Sequence, residues 1–201
     1  MTAGRRVLVV ACGALVRELR AVLAQLPAVE VDVEYLPANL HNRPERIPDA
    51  VCAVLDGPRA QEYDLLAVAY GDCGTGGRLD AALAERGVAR LEGAHCYEFL
   101  ASGPVFEALQ DAEPGTFYLT DYLARHFDAL VMGGLGLDRH PELRDAYFGH
   151  YRRVVHLAQT DAPEVADAAR RAAEQLGLAY ESRPTGLGPF RGQLVRLLEV
   201  A

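Results

Sequence analysis

The sequence predicts an α/β protein: a single doubly wound, mostly parallel sheet of about four to six strands, with helices on both faces. Two observations carry this. Strand-like apolar runs alternate with helix-like stretches along the whole chain, the pattern of parallel strands joined by crossover helices. The runs Val7–Ala11 and Leu65–Ala69 are apolar at every position, as strands covered on both faces are.

The elements follow in order. Val7–Ala11 is a short β-branched strand. Leu15, Leu19, Val22, Leu23 and Leu26 recur at helical spacing and predict a helix over 14–26. Val29, Val31, Val33 and Tyr35 alternate with acids, which reads as a half-exposed strand. A loop over 37–48 carries Leu40-His41-Asn42, and Pro48 opens a helix to about Asp56. Leu65–Ala69 is the central strand candidate. Glycines at 71, 74, 76 and 77 make a tight turn, then 79–85 is a helix and 88–91 a strand. Cys96 to Leu109 is helical with a break near Gly103-Pro104. Phe117–Thr120 is extended, while 121–130 and 141–151 are helical. Arg153–Leu157 is a strand, and Pro163–Leu176 an amphipathic helix capped by Gly177. Residues 178–182 form a last strand and 193–200 a terminal helix. One domain spans 1–201, with 114–151 a candidate helical insertion or lid.

Composition excludes several function classes. The formal charge of −8 argues against nucleic acid, whose phosphates need a basic face. No apolar run approaches the ~20 residues of a membrane span. All 20 basic residues are arginine, which removes a phosphate-binding P-loop lysine, a Schiff-base lysine and a lysine general base. The four cysteines, at 12, 52, 73 and 96, do not read as a secreted disulfide framework in a chain this long. Reduced thiols in the cytoplasm are the expectation, with no signal peptide.

Three of these cysteines follow strand candidates. Cys12 ends the first, Cys73 follows Leu65–Ala69 by four residues, and Cys96 follows the 88–91 strand. In parallel α/β sheets that edge is where ligands bind. Three thiolates with one open position are a donor set for zinc, or for a cluster with one open iron. His41 and His95 are the candidate fourth ligands. Asp72 and Glu98 are candidate second-layer partners or bases. Gly74 lies in a turn whose N–H groups could cradle an anion, and Tyr118 and Thr120 could line a pocket. Cys52, among Val51, Ala53 and Val54, reads as packing.

Five motifs, in order, resemble an uncharacterised prokaryotic family. They are Cys12-Gly13, Leu40-His41-Asn42-Arg43-Pro44, Tyr70-Gly71-Asp72-Cys73-Gly74, His95-Cys96-Tyr97-Glu98-Phe99-Leu100 and Pro114-Gly115-Thr116-Phe117-Tyr118-Leu119-Thr120. Members are common in methanogens and other anaerobes, often near genes for corrinoid-dependent methyltransferases. The chain departs from the family pattern where His95 and Cys96 adjoin without an acid between them, and where Asp121-Tyr122 replaces Gly-Trp. The resemblance implies a metal site, one-carbon chemistry and a corrinoid or methyltransferase protein as partner. It assigns no catalytic role to any residue.

The leading expectation is a metal-thiolate protein, zinc before iron–sulfur, acting on a small molecule in methyl-group or corrinoid metabolism, as an enzyme or an accessory to one. Two alternatives stand beside it. One is a metal-free module that binds an anion at the glycine turn. The other is a hydrolase with Cys73 as nucleophile and His41 or His95 as base.

Overall fold

The computed structural model describes residues 5–26 and 30–200, Val200 by its backbone. The α/β class and the parallel pairing are as predicted, but the strands divide between two sheets rather than forming one. Correspondingly the chain forms two compact units, Met1–Phe99 with Gly188–Ala201, and Leu100–Leu187. Nothing in the βα alternation marks that division, because periodicity reports an element's type and not its pairing partner.

In the first unit β1 (Arg6–Cys12), β2 (Glu30–Leu36), β3 (Leu65–Ala69) and β4 (Ala89–Arg90) lie in the order β2-β1-β3-β4, all parallel. Val29, the first residue of the predicted second strand, lies outside the described residues. Val7, Leu8, Val9, Val10 and Ala11 are all fully buried, so both faces of β1 are covered. Burying each of these larger side chains stabilises the unit by about 1.5–3 kcal/mol. The helices α1 (Val16–Leu23), α2 (Ile47–Leu55) and α3 (Arg78–Ala84) connect the strands, and α9 (Gly188–Val200) returns to pack on β3 and β4. That last helix begins five residues before the predicted start, and its Phe190 packs on Phe99 at 5.7 Å between ring centroids.

The strand order sets where a ligand can bind. From β1 the chain moves to β2 on one side, then crosses back to β3 on the other. The order reverses between β1 and β3, and ligands of open α/β sheets bind outside the carboxyl ends of the strands at such a point.

The predicted 96–109 helix is two helices, α4 (Cys96–Ala101) and α5 (Gly103–Ala112). Ser102 between them has φ +78°, which breaks the helical path at the Gly103-Pro104 signal.

In the second unit β5 (Thr116–Thr120), β6 (Arg153–Ala158) and β7 (Ala179–Pro184) form a parallel sheet in chain order. Residues 114–151 are therefore not simply a helical insertion, since they supply its first strand. They also contain the short α6 (Asp121–Arg125), a π turn at Asp128–Met132 and α7 (Arg144–Phe148). The core gathers Leu119, Phe127, Phe148, Val154, Val165, Ala169 and Leu176 beneath α8 (Pro163–Leu176). No helix among the described residues is long and apolar enough to cross a membrane.

A buried polar network pins β5 to β6. The Asp121 carboxylate accepts from His156 Nε2 at 2.9 Å, from the Thr160 hydroxyl at 2.5 Å and from the Gln159 N–H at 3.2 Å. The Gln159 side chain in turn accepts from the Asp121 N–H at 2.8 Å. Burial alone would push the Asp121 carboxyl up; hydrogen bonds from His156, Thr160 and Gln159 hold it below the usual carboxylate range. Its contribution to stability is thus fully present above the unfolded value near ~3.9 and is lost as pH falls through the folded value. We expect Asp121→Ala to cost about 3 kcal/mol in urea denaturation, the range for breaking a buried polar pair. A cost below about 1 kcal/mol would show that the network contributes little. Asp121→Asn should lose the part of the wild type's acid sensitivity that this carboxyl causes.

Candidate thiolate site

All four strands of the first unit deliver a residue to the same edge. β1 ends on Cys12. The short 3₁₀ turn Ala38–Asn42 after β2 carries His41. β3 runs into Tyr70-Gly71-Asp72-Cys73, and β4 into the loop before Cys96. The β1–β3 register pairs Ala11 with Ala69. Continued by one residue, it sets Cys12 beside Tyr70 with both side chains on one face.

Cys73 and Cys96 meet because their loops bond to each other. The Asp72 N–H donates to Gly93 O at 3.0 Å and the Cys73 N–H to Ala94 O at 2.8 Å. A Cβ on Gly71 would lie 3.1 Å from the His95 backbone, so a larger residue would push the two loops apart by a few tenths of an ångström. Arg90 fixes the second loop, donating to Leu91 O at 2.6 Å and Gly93 O at 3.1 Å while its guanidinium pairs with Asp80 at 2.6 and 2.9 Å. Glu98 accepts from the Ala94 N–H at 2.8 Å and holds the same loop from the other side.

Asp72 builds the turn that presents Cys73. Its carboxylate accepts from the Thr75 hydroxyl at 2.6 Å, the Gly77 N–H at 2.8 Å and the Gly76 N–H at 3.1 Å. Burial raises this carboxyl, and the three hydrogen bonds bring it below the usual range. The N–H groups that would have cradled an external anion are taken by Asp72 itself. Gly74 in this turn is exposed, with Pro44 3.5 Å from where its Cβ would be. Cys73 has φ +50°, a conformation unusual for a residue with a side chain.

The thiols sit where ionisation is unfavourable. Cys12 and Cys73 are buried and Cys96 is partly exposed; all are free. Burial pushes the Cys12 thiol up to about 11, against the Ala14 N–H that donates to its sulfur at 3.4 Å, and the nearby Cys73 raises it further. Burial also raises Cys73, with the Gly71 and Cys96 amides pulling back. Cys96 is driven well above the ordinary thiol range by burial and then by Cys73 and Cys12. These mutual effects show that the three sulfurs share one region. Among the described residues, however, no three His, Cys, Asp or Glu side chains are already gathered in coordinating geometry.

His41 takes a definite orientation. Its Nδ1 lies 3.2 Å from Ala38 O and 3.8 Å from Cys12 Sγ. A carbonyl can only accept, so Nδ1 carries the proton and donates it to Ala38 O, with Cys12 Sγ as a longer second contact. Burial lowers the His41 pKa, and the nearby His95 lowers it further. Its ring stacks on Tyr70 with centroids 6.1 Å apart. His95 is exposed and packs beside Tyr97. Histidine therefore accompanies Cys12, and neither histidine is shown paired with Cys73.

Tyr118 and Thr120 belong to the second unit. The Tyr118 hydroxyl donates to Gln110 Oε1 at 3.2 Å, and Thr120 caps α6 by accepting from the Leu123 N–H at 3.2 Å. Cys52 is partly exposed on α2.

Two site residues were not singled out by their chemistry in the sequence. Tyr70 is 1 % exposed, and its hydroxyl lies against the Cys12 thiol. Glu18 is 5 % exposed on α1, close enough to Cys12 to raise its pKa. A signal for Glu18 was present: it falls on the stripe Leu15, Leu19, Val22, three residues after Leu15.

The thiol environments predict a labelling order. With iodoacetamide on the native, metal-free protein near pH 8, Cys52 should react first and Cys12 far more slowly, because only about 0.1 % of a thiol with a pKa near 11 is thiolate at that pH. The Cys12 rate should rise about tenfold per pH unit up to that value. Peptide mass spectrometry reads the order. Fast, selective labelling of Cys73 would instead mark a nucleophile.

Comparison with known proteins places the chain. No curated protein matches it. A family model described as a protein of unknown function, DUF1638, matches residues 35–194. The matched span takes in His41, Tyr70, Cys73 and Cys96 and begins after Cys12. Matching most of its length, the chain belongs to the DUF1638 family.

Proposed function

We propose that the first unit binds a soft metal, zinc before an iron–sulfur cluster, through Cys12, Cys73 and Cys96, and that the bound metal takes a small-molecule ligand at its open position. The observation that carries this is the meeting of three strand-end thiols, each raised in pKa by burial and two of them directly by their neighbours. Neighbouring thiols can ionise together where a cation offsets their mutual repulsion, since metal binding deprotonates a coordinating thiol.

The supporting residues have separate tasks. His41, anchored by Nδ1–H to Ala38 O, lies 3.8 Å from Cys12 Sγ and would support that sulfur from the side. Asp72 shapes the Cys73 turn, and Glu98 and Arg90 set the Cys96 loop. A thiol reaching the open position would release its proton and be retained as thiolate. The role in methyl-group and corrinoid metabolism, with a corrinoid or methyltransferase protein as partner, rests on the family resemblance; what the geometry adds is a site suited to soft ligands. Free thiols suit the reducing cytoplasm.

Against an anion-binding module stands the occupation of the Gly76 and Gly77 N–H groups by Asp72. Against a Cys73 hydrolase stands the placement of His41 beside Cys12.

Metal analysis of anaerobically purified protein tests the reading. About one equivalent of zinc, or iron with a visible absorption band, is expected. Single Cys→Ser changes at 12, 73 and 96 should each lower metal affinity by two orders of magnitude or more, acting as a unit, while Cys52→Ser leaves it unchanged. Less than a tenth of an equivalent after reconstitution would overturn it.

A further inference from the structure

We propose that β7 is a docking edge for a second copy of this chain, paired antiparallel about a two-fold axis at Ser182, so that the sheet of the second unit continues from one copy into the other. The inference is independent of the thiolate site. β7 (Ala179–Pro184) ends the order β5-β6-β7, and among the described residues no backbone hydrogen bond reaches its outer side. Ala179, Ser182, Arg183 and Pro184 are exposed. Such an edge is a row of backbone donors and acceptors ready to pair with another strand.

The β6–β7 ladder shows which groups face outward. The Ala179 N–H donates to Arg152 O at 3.3 Å, and the Thr185 N–H donates to Ala158 O at 2.9 Å. Odd-numbered residues therefore turn their backbone groups to β6, while Tyr180, Ser182 and Pro184 turn theirs away. Two copies centred on Ser182 satisfy this outward set. The two Ser182 residues exchange both N–H···O bonds, and each Tyr180 N–H meets the Pro184 carbonyl of the other copy. Pro184 has no N–H to donate, so the ladder stops there, and its outward place takes no bond from β6.

Charge selects this register. Glu181 accepts from Arg153 and pairs with Arg183, each at 2.7 Å. With Ser182 opposite itself, Glu181 of each copy faces Arg183 of the other, in the closely spaced kind of pair whose Cα atoms lie about 4.5 Å apart. Centring the pairing on residue 181 would set Glu181 against Glu181, and on residue 183 Arg183 against Arg183. A slide of one residue would oppose outward-facing backbone groups to inward-facing ones and leave no ladder. Charges on an edge discourage pairing with an arbitrary strand, but this short segment is complementary to itself. The two-fold axis closes the assembly at two copies.

Analytical ultracentrifugation of the full chain under reducing conditions gives the test, from about 1 μM to 1 mM because one strand pair is a small interface. A reversible monomer–dimer equilibrium is expected. Arg183→Glu, which sets carboxylate against carboxylate across the axis, should weaken the dimer about tenfold or more with an unchanged circular dichroism spectrum. A second arm reads the register whatever the behaviour of Arg183→Glu. Ser182→Cys, in a Cys52→Ser background and treated with glutathione disulfide, should give a covalent dimer linked 182 to 182 by peptide mass spectrometry. The Cα spacing of about 5.5 Å in a hydrogen-bonded pair is within disulfide reach. A wild type that stays monomeric throughout, a dimer indifferent to Arg183→Glu, or the absence of the 182–182 link would each overturn the proposal.

Discussion

The thiolate edge depends on the parallel pairing of β1 with β3. That register, Val7 with Leu65 through Ala11 with Ala69, decides which loops are neighbours. It brings the end of the first strand beside the turn that follows the third. Because both strands are buried on both faces, a slip of one residue would turn every side chain to the opposite face. Cys12 and Tyr70 would then leave the sheet on opposite faces. The site is held by a sheet register before any side chain contributes.

Around that register the loops are fixed mainly by hydrogen bonds to backbone atoms. Asp72 ties down two N–H groups and a hydroxyl, Glu98 one N–H, and Arg90 two carbonyls. These charged residues invite a catalytic reading from sequence. In the folded chain each has bonding capacity committed to loop geometry, so each positions a cysteine instead of reacting. The thiols themselves stay protonated in this arrangement. Burial and their mutual proximity both oppose ionisation.

Much of this was legible in the sequence. Apolar runs located β1 and β3, and Pro163 and Gly177 bracketed α8 at both ends. The shared edge of Cys12, Cys73 and Cys96 followed from their places after strands, since every parallel strand of the first sheet ends there. Strand partnership was not legible: β5, β6 and β7 read like a continuation of the first sheet, and only long-range pairing separates them. The tasks of Asp72 and Glu98 were also hidden, because a carboxylate's partners among backbone amides leave no mark on residue type. Tyr70 looked like the last residue of an apolar strand, and nothing local shows that its hydroxyl lies against the Cys12 thiol.

The left-handed backbone at Cys73 sets folding against chemistry. Glycine would occupy φ +50° without the steric penalty that a Cβ incurs there. Stability alone therefore favours glycine over a thiol at this position. A programme to thermostabilise the protein by relieving strained positions would remove the site first, and the resulting molecule would look improved by every measure except the one for which the position is held.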